Sequence, residues 1–365
     1  MGMSAGELRI RLDDNLINGD FARITDLLDE YLPGLPPGDP STERVVRALR
    51  VAYIGHRVLE LDAEDFGAAA DCPDLPEVTR AVLRQAGAPR SPGEPLGQLS
   101  SLQTIMQVQL ELLQLHYASD RFGRVLEVLH LIGEYLPLLA WEPVLGNAGN
   151  PHTIARRLDA VDATWVRRPQ PCPRTAKPFY ARRDARNAVK TGPASRRDPD
   201  AAWLTYVKEQ RGGLADLLHA CGLCGEDTLA GTTAVAGAPC GIEPTSDERG
   251  TLPERLASIS GFKKSLPIRQ RNTAPIGHGY SVPDRAALDD AWQRSRQSIT
   301  DRDYCPLDLS DLDERAPFPG LATLIRYWGD LDEVPEPTEL VPQIGDAINR
   351  LLFAPDAVSG ESEAR

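Results

Sequence analysis

The sequence predicts an all-α fold, a helical bundle or a short helical-repeat array with an irregular Pro/Arg-rich middle. Two observations carry that reading. The longest apolar stretch, residues 101–141, has its apolar positions at helical spacing: Ile105, Val108, Leu112, Leu115 and His116, widened by Leu110 and Leu113. That period belongs to a helix face and not to an alternating strand. The other apolar segments show the same spacing, with Gly, Pro, Asn and Asp marking the turns between them.

Taken in order, residues 7–33 read as two helices. Leu8, Ile10, Leu12, Leu16 and Ile17 line the first, and Phe21, Ile24, Leu27, Leu28, Tyr31 and Leu32 the second. Asn18-Gly19-Asp20 turns the chain, Asp20 caps the second helix and Pro33-Gly34 ends it. Residues 42–61 and 75–86 are helices, and the Pro/Gly-punctuated residues 87–98 are a loop. In the central stretch, Tyr117 to Asp120 breaks the pattern, and Ser119 or Asp120 is expected to cap a second helix. That second helix carries Val125, Leu126, Val128, Leu129, Leu131, Ile132, Tyr135, Leu136 and Leu139. It is apolar on more than one side, which places it inside a bundle. Pro137 and Pro143 are expected to bracket its frayed end.

After Trp141 the periodicity fades. A helix is expected near 200–219, broken or kinked at Gly212-Gly213, and a short one over 252–259. Residues 260–283 read as irregular, and 284–299, 318–330 and 339–353 as the last helices. The domains expected are a helical N-terminal part (1–141), an irregular Pro/Arg/Cys-containing segment (142–283), a small helical C-terminal part (284–354) and a disordered tail (355–365).

Composition bounds function. A net charge of −13 favours solubility and opposes indiscriminate nucleic-acid binding. No run reaches membrane-span length, so no membrane role is expected. The start, MGMSAGELRIRLDD, has no apolar signal core, which points to a cytoplasmic protein. The abundance of Arg, Ala, Gly and Pro points to a GC-rich bacterial genome. Six cysteines in 365 residues are not a disulfide framework.

Two segments echo each other. Asp20-Phe21-Ala22-Arg23-Ile24 parallels Arg121-Phe122-Gly123-Arg124-Val125, and Glu30-Tyr31-Leu32-Pro33 returns as Glu134-Tyr135-Leu136-Pro137. Residues 7–33 and 107–137 thereby resemble tetratricopeptide-type helix hairpins, which implies a groove-forming, protein-binding array. Independent αα-hairpins of an ordinary bundle explain the same pattern.

Four groups of residues could carry chemistry. Cys221-Gly222-Leu223-Cys224, with Cys240 further on and His219 just before, could hold zinc if a distant residue completed the tetrahedron. Half-buried loop thiols or a redox CxxC are the other readings. Cys72, Cys172 and Cys305 each precede proline, a dipeptide that can present a thiolate to haem iron. Glu127-Val128-Leu129-His130 and Asp216-Leu217-Leu218-His219 each set a carboxylate and an imidazole one helical turn apart, as in di-iron carboxylate bundles, with Glu60 or Glu111 to complete a site. A buried core histidine explains His130 as well. His278, in Pro275-Ile276-Gly277-His278-Gly279-Tyr280, is an axial ligand, an acid–base group or a plain loop residue. No glycine-rich phosphate loop, HExxH or GxSxG is present.

Gly19-Asp20-Phe21, the helix from Arg124 to Leu131 and Ser260-Gly261-Phe262 carry a fainter resemblance to the tryptophan 2,3-dioxygenase family of helical haem proteins. That resemblance implies a haem-dependent oxidation of a small organic molecule.

The clearest charge feature is residues 167–197. Arg167, Arg168, Arg174, Lys177, Arg182, Arg183, Arg186, Lys190, Arg196 and Arg197 face one acid, Asp184, with Trp165, Phe179 and Tyr180 interleaved. The segment could dock on the protein's own acidic surface, on an acidic protein or on a small anionic ligand. Nucleic acid is the weaker fit, given the net charge. The sequence thus supports a partner-binding adaptor or regulator whose contact residues include Arg174, Lys177, Phe179, Tyr180, Arg182, Arg183 and Arg186. The competing reading is a metal- or haem-dependent oxidoreductase, with iron held by Glu127, His130, Asp216, His219 or His278.

Overall fold

A computed structural model describes residues 3–36, 38–89, 96–146, 150, 211–222, 250–273, 282–300, 307 and 317–353. The described residues are helical and contain no strand, so the chain is all-α. The helices are α1 (Ala5–Ile17), α2 (Phe21–Tyr31), α3 (Pro40–Leu59), α4 (Ala63–Ala69), α5 (Glu77–Ala86), α6 (Gln103–Ala118) and α7 (Phe122–Leu145). After these come α8 (Arg211–Gly222), α9 (Leu252–Lys263), α10 (Leu266–Thr273), α11 (Arg285–Thr300), α12 (Leu321–Gly329) and α13 (Leu340–Phe353). Among the described residues, no helix is long and apolar enough to cross a membrane.

The chain forms two compact units. Unit 1 is residues 1–87 with 339–365, and unit 2 is residues 88–338. The expected boundary after Trp141 falls inside α7, and the last helix belongs with the first ones.

In unit 1, α1 packs on α2, α2 on α3, α3 on α13 and α13 on α1, with α4 and α5 beside α3 and α13. The Asn18–Asp20 turn works as its residues require. Gly19 takes φ +60°, and the Asp20 carboxylate accepts from the Arg23 N–H at 3.1 Å. Leu8 and Leu12 hold α1 to the core, whereas Ile10 and Ile17 face solvent. The Thr79 hydroxyl of α5 donates to Gln343 Oε1 of α13 at 2.7 Å. Arg47 of α3 reaches Asp74 through its Nε at 2.8 Å, anchoring the chain before α5.

Gly55 of α3 lies directly against Phe21 of α2. A Cβ there would sit 2.5 Å from Cδ2 of the fully buried Phe21 ring. Gly55→Ala is therefore expected to cost ~1–3 kcal/mol through overpacking, although alanine has the higher helix propensity. The check is the urea midpoint by far-UV circular dichroism. A stabilised variant would show that Phe21 can move aside.

In unit 2, α7 is the central rod. It packs against α6, α8, α9, α10 and α12. Leu136, Leu138, Leu139, Ala140 and Trp141 are all fully buried. The expected frayed end at Pro137 and Pro143 is corrected, because both prolines lie within the helix. Each removes one backbone hydrogen bond and clashes with the preceding turn. Burial of the apolar residues between them outweighs that cost.

The α6–α7 turn also differs from expectation. Neither Ser119 nor Asp120 caps α7; Ser119 closes α6, and Arg121 stands at the N-terminus of α7 without a side-chain cap. Asp120 takes φ +54°, and its carboxylate accepts from Arg285 at 2.6 Å. The Arg285 guanidinium lies 4.3 Å from the Tyr117 ring centroid, and the Tyr117 hydroxyl donates to Asp289 at 2.5 Å. These contacts tie α11 to the hairpin. Gly212 and Gly213 lie in the first turn of α8, and the residues before Arg211, where the expected break or kink would show, lie outside the described residues. Residues 260–273, expected to be irregular, continue α9 and form α10. The short α4 was not anticipated.

Candidate functional site

Unit 2 places a polar seam where α7, α8 and α9 meet. From α7 come Glu127, His130 and Glu134, one turn apart along one face. From α8 come Asp216 and His219, and from α9 Ser260 and Lys263. The seam includes two glycines at which a side-chain carbon would make only ordinary van der Waals contacts. A Cβ on Gly133 would lie 3.5 Å from the Phe262 ring, and one on Gly212 3.9 Å from Glu134 Oε1.

The charges in this seam are paired. Glu127 accepts from Arg124 at 2.8 Å. His130 Nε2 lies 3.2 Å from Glu134 Oε1. The hydrogen bond from His130 holds the Glu134 carboxyl below its usual value against the opposing effect of burial, with help from the nearby Lys263 and Arg271 charges. Lys263 donates to Asp216 at 2.6 Å. His219 Nε2 meets the Ser260 hydroxyl at 2.6 Å, and that hydroxyl also reaches the Leu256 carbonyl at 3.3 Å. Burial pushes the His219 imidazole down to about 4; the positive Lys263 adds to that, and Asp216 opposes it.

A serine, a histidine and a carboxylate share this corner without forming a nucleophilic triad. Such a triad needs the acid hydrogen-bonded to the second ring nitrogen. Asp216 is bonded to Lys263 instead, and His219 Nδ1 is buried with no hydrogen-bond partner among the described residues. The arrangement supplies a neutral imidazole, ion pairs internal to α7 and two polar contacts that join α8 to α9.

Two further buried groups belong to unit 2. His116 is almost fully buried, and neither ring nitrogen has a hydrogen-bond partner among the described residues. Arg255 is buried with its Nη1 3.6 Å from Asp330. Desolvation lowers its guanidinium below the usual value despite that partner.

The four residues of the expected carboxylate–imidazole constellation therefore sit on packed helices, each engaged with a different neighbour. Among the described residues, no group of three or more His, Cys, Asp or Glu side chains could hold a metal ion. Cys72 is a buried free thiol of unit 1. The Cys221 side chain, and Cys172, Cys224, Cys240, His278 and Cys305, lie outside the described residues. So do residues 167–197, with Arg174, Lys177, Phe179, Tyr180, Arg182, Arg183 and Arg186.

Sequence reasoning missed Ser260, Lys263 and Arg255 as partners. Their contacts span 41, 47 and 75 residues of chain and leave no local pattern. His116 was counted as part of an apolar face, which its burial supports; its unpaired nitrogens were not foreseen.

Fold and site together define an all-α protein with a partly exposed, internally compensated polar seam. No protein-family model, no curated protein and no solved structure matches the chain. The hairpin and haem-protein resemblances rest on the residues quoted for them.

Proposed function

We propose that the protein is a helical partner-binding protein, an adaptor or regulator, that uses its Arg-rich segment to hold an acidic protein or a small anionic ligand. The observation that carries this reading is charge segregation. A chain of net charge −13 concentrates ten cations against one acid in residues 167–197. Opposite charge steers encounter and sets specificity. The seam adds support, since its carboxylates are engaged by Arg124, His130 and Lys263.

The test uses a polyglutamate peptide as the anionic probe, with binding read by fluorescence anisotropy against salt. Replacing Arg182, Arg183 and Arg186 together with Ala is expected to weaken binding about tenfold at low salt, the sum of three exposed charge contacts. The wild-type affinity should fall with added salt. Undiminished binding by the triple variant removes the Arg-rich segment from the proposal.

A second reading, an iron- or haem-dependent oxidoreductase acting on a small organic molecule, draws support from His219. Its unpaired, neutral Nδ1 is the form of imidazole that a metal takes. Elemental analysis and a visible spectrum of the purified protein separate the readings. Stoichiometric iron or a Soret band favours the enzyme and excludes a purely adaptor role.

A further inference from the structure

Unit 1 exposes two apolar stripes on helices that do not pack as a pair. On α1, Ile10 is 73% and Ile17 79% exposed. On α3, Val46 is 43% and Tyr53 55% exposed. Within each helix the two residues are seven apart, which aligns them on one face about 10.5 Å apart. The inward residues of α1, Leu8 and Leu12, lie on the opposite side from Ile10.

The charge between the two apolar residues differs in sign. On α1 it is acidic, because Asp13 and Asp14 are exposed and neither carboxylate has a partner among the described residues. On α3 it is basic, because Arg50 is exposed and likewise without a partner among the described residues. Arg57, one turn after Tyr53, is already engaged by Asp62 and Asp65. Position by position the stripes match. Ile10, Asp14 and Ile17 have the same four- and seven-residue spacing as Val46, Arg50 and Tyr53.

We propose that the solvent face of α1 docks on the solvent stripe of α3 in a second copy of this chain. Laid parallel, Asp14 meets Arg50 between two apolar contacts. Laid antiparallel, Asp13 does so. Like-on-like pairing is disfavoured, since α1 on α1 opposes carboxylates and α3 on α3 opposes guanidinium groups. α1 packs on α2 and α13, and α3 packs on the same two helices, so each copy offers both stripes at once. The contact is heterologous and extends from copy to copy unless a ring closes. It uses no residue of the Arg-rich segment.

Sedimentation velocity on the full chain tests this from about 1 μM to about 200 μM, a range that detects micromolar to submillimolar association. The wild-type mass is expected to rise with concentration above the monomer value of 39.9 kDa. The variants Asp13→Arg/Asp14→Arg and Arg50→Glu should each stay monomeric with unchanged far-UV circular dichroism. An equimolar mixture of the two should associate again, because each reversed stripe then finds its complement. The variant lacking Arg182, Arg183 and Arg186 should associate like the wild type. A wild type that stays monomeric throughout overturns the proposal, as does a mixture that fails to recover. Loss of association in the Arg182/Arg183/Arg186 variant places the contact elsewhere and overturns it too.

Discussion

Trp328→Ala is expected to destabilise unit 2 by ~3–5 kcal/mol, the usual cost of deleting a large buried aromatic side chain. Trp328 is fully buried on α12, with its ring centroid 5.2 Å from that of Phe262. Phe262 in turn meets Trp292 at 6.3 Å, and Trp292 meets Phe318 at 5.5 Å edge to face. These rings join α9, α11 and α12, so the cavity opens where three helices converge. The indole N–H also donates to Ser258 at 2.9 Å, and truncation leaves that buried hydroxyl without its partner. Trp328→Phe keeps most of the ring but not the N–H, and should cost clearly less. All five tryptophans lie in unit 2, so the urea transition followed by indole fluorescence reports on it directly. A loss below about 1 kcal/mol in Trp328→Ala would show that the ring cluster collapses around the gap or does not form.

That aromatic cluster was not legible in the sequence, and the reason is physical. Helical spacing reports which face of a helix is apolar, not which helix will cover it. The face of α6 and the all-round apolarity of α7 could be read directly, because fully surrounded helices have no polar side. The prolines of α7 misled for the same reason. Local propensity ends a helix at Pro137, but the burial of Leu136, Leu138 and Leu139 is tertiary and overrides it. The return of α13 to unit 1 was invisible because Leu340, Val341, Ile344, Ala347 and Ile348 make a face that any apolar groove accepts. In the seam, that Glu127 and His130 share one face of α7 could be found by counting three residues, though each pairs with another neighbour, Arg124 and Glu134. What each group bonds to could not, because His219 meets Ser260 and Asp216 meets Lys263 across helices.

Acid is expected to destabilise unit 2 before carboxylate protonation dominates, and His116 is one of two buried histidines that cause it. Its ring sits on α6 with neither nitrogen paired among the described residues. Burial, assisted by the positive charges of Arg121 and Arg124, lowers its pKa from 6.5 to about 4. Between those values the unfolded chain binds a proton that the folded chain refuses. Stability therefore falls as pH drops from about 6.5 to about 4 and levels off below, by on the order of 3 kcal/mol for this one group. His219 is depressed to about 4 as well, so it acts in the same direction over the same window. His116→Leu tests the assignment, since leucine is close in size and has no proton to gain. The variant should match or exceed the wild type near neutral pH, because it removes two unpaired buried nitrogens. It should also lose part of the wild type's acid sensitivity. Urea midpoints by indole fluorescence at about pH 7, 5 and 4 give both results, the window being set by the linkage relation. Parallel curves for variant and wild type would mean that His116 takes up its proton in the folded state, and that the acid limb belongs to the carboxylates.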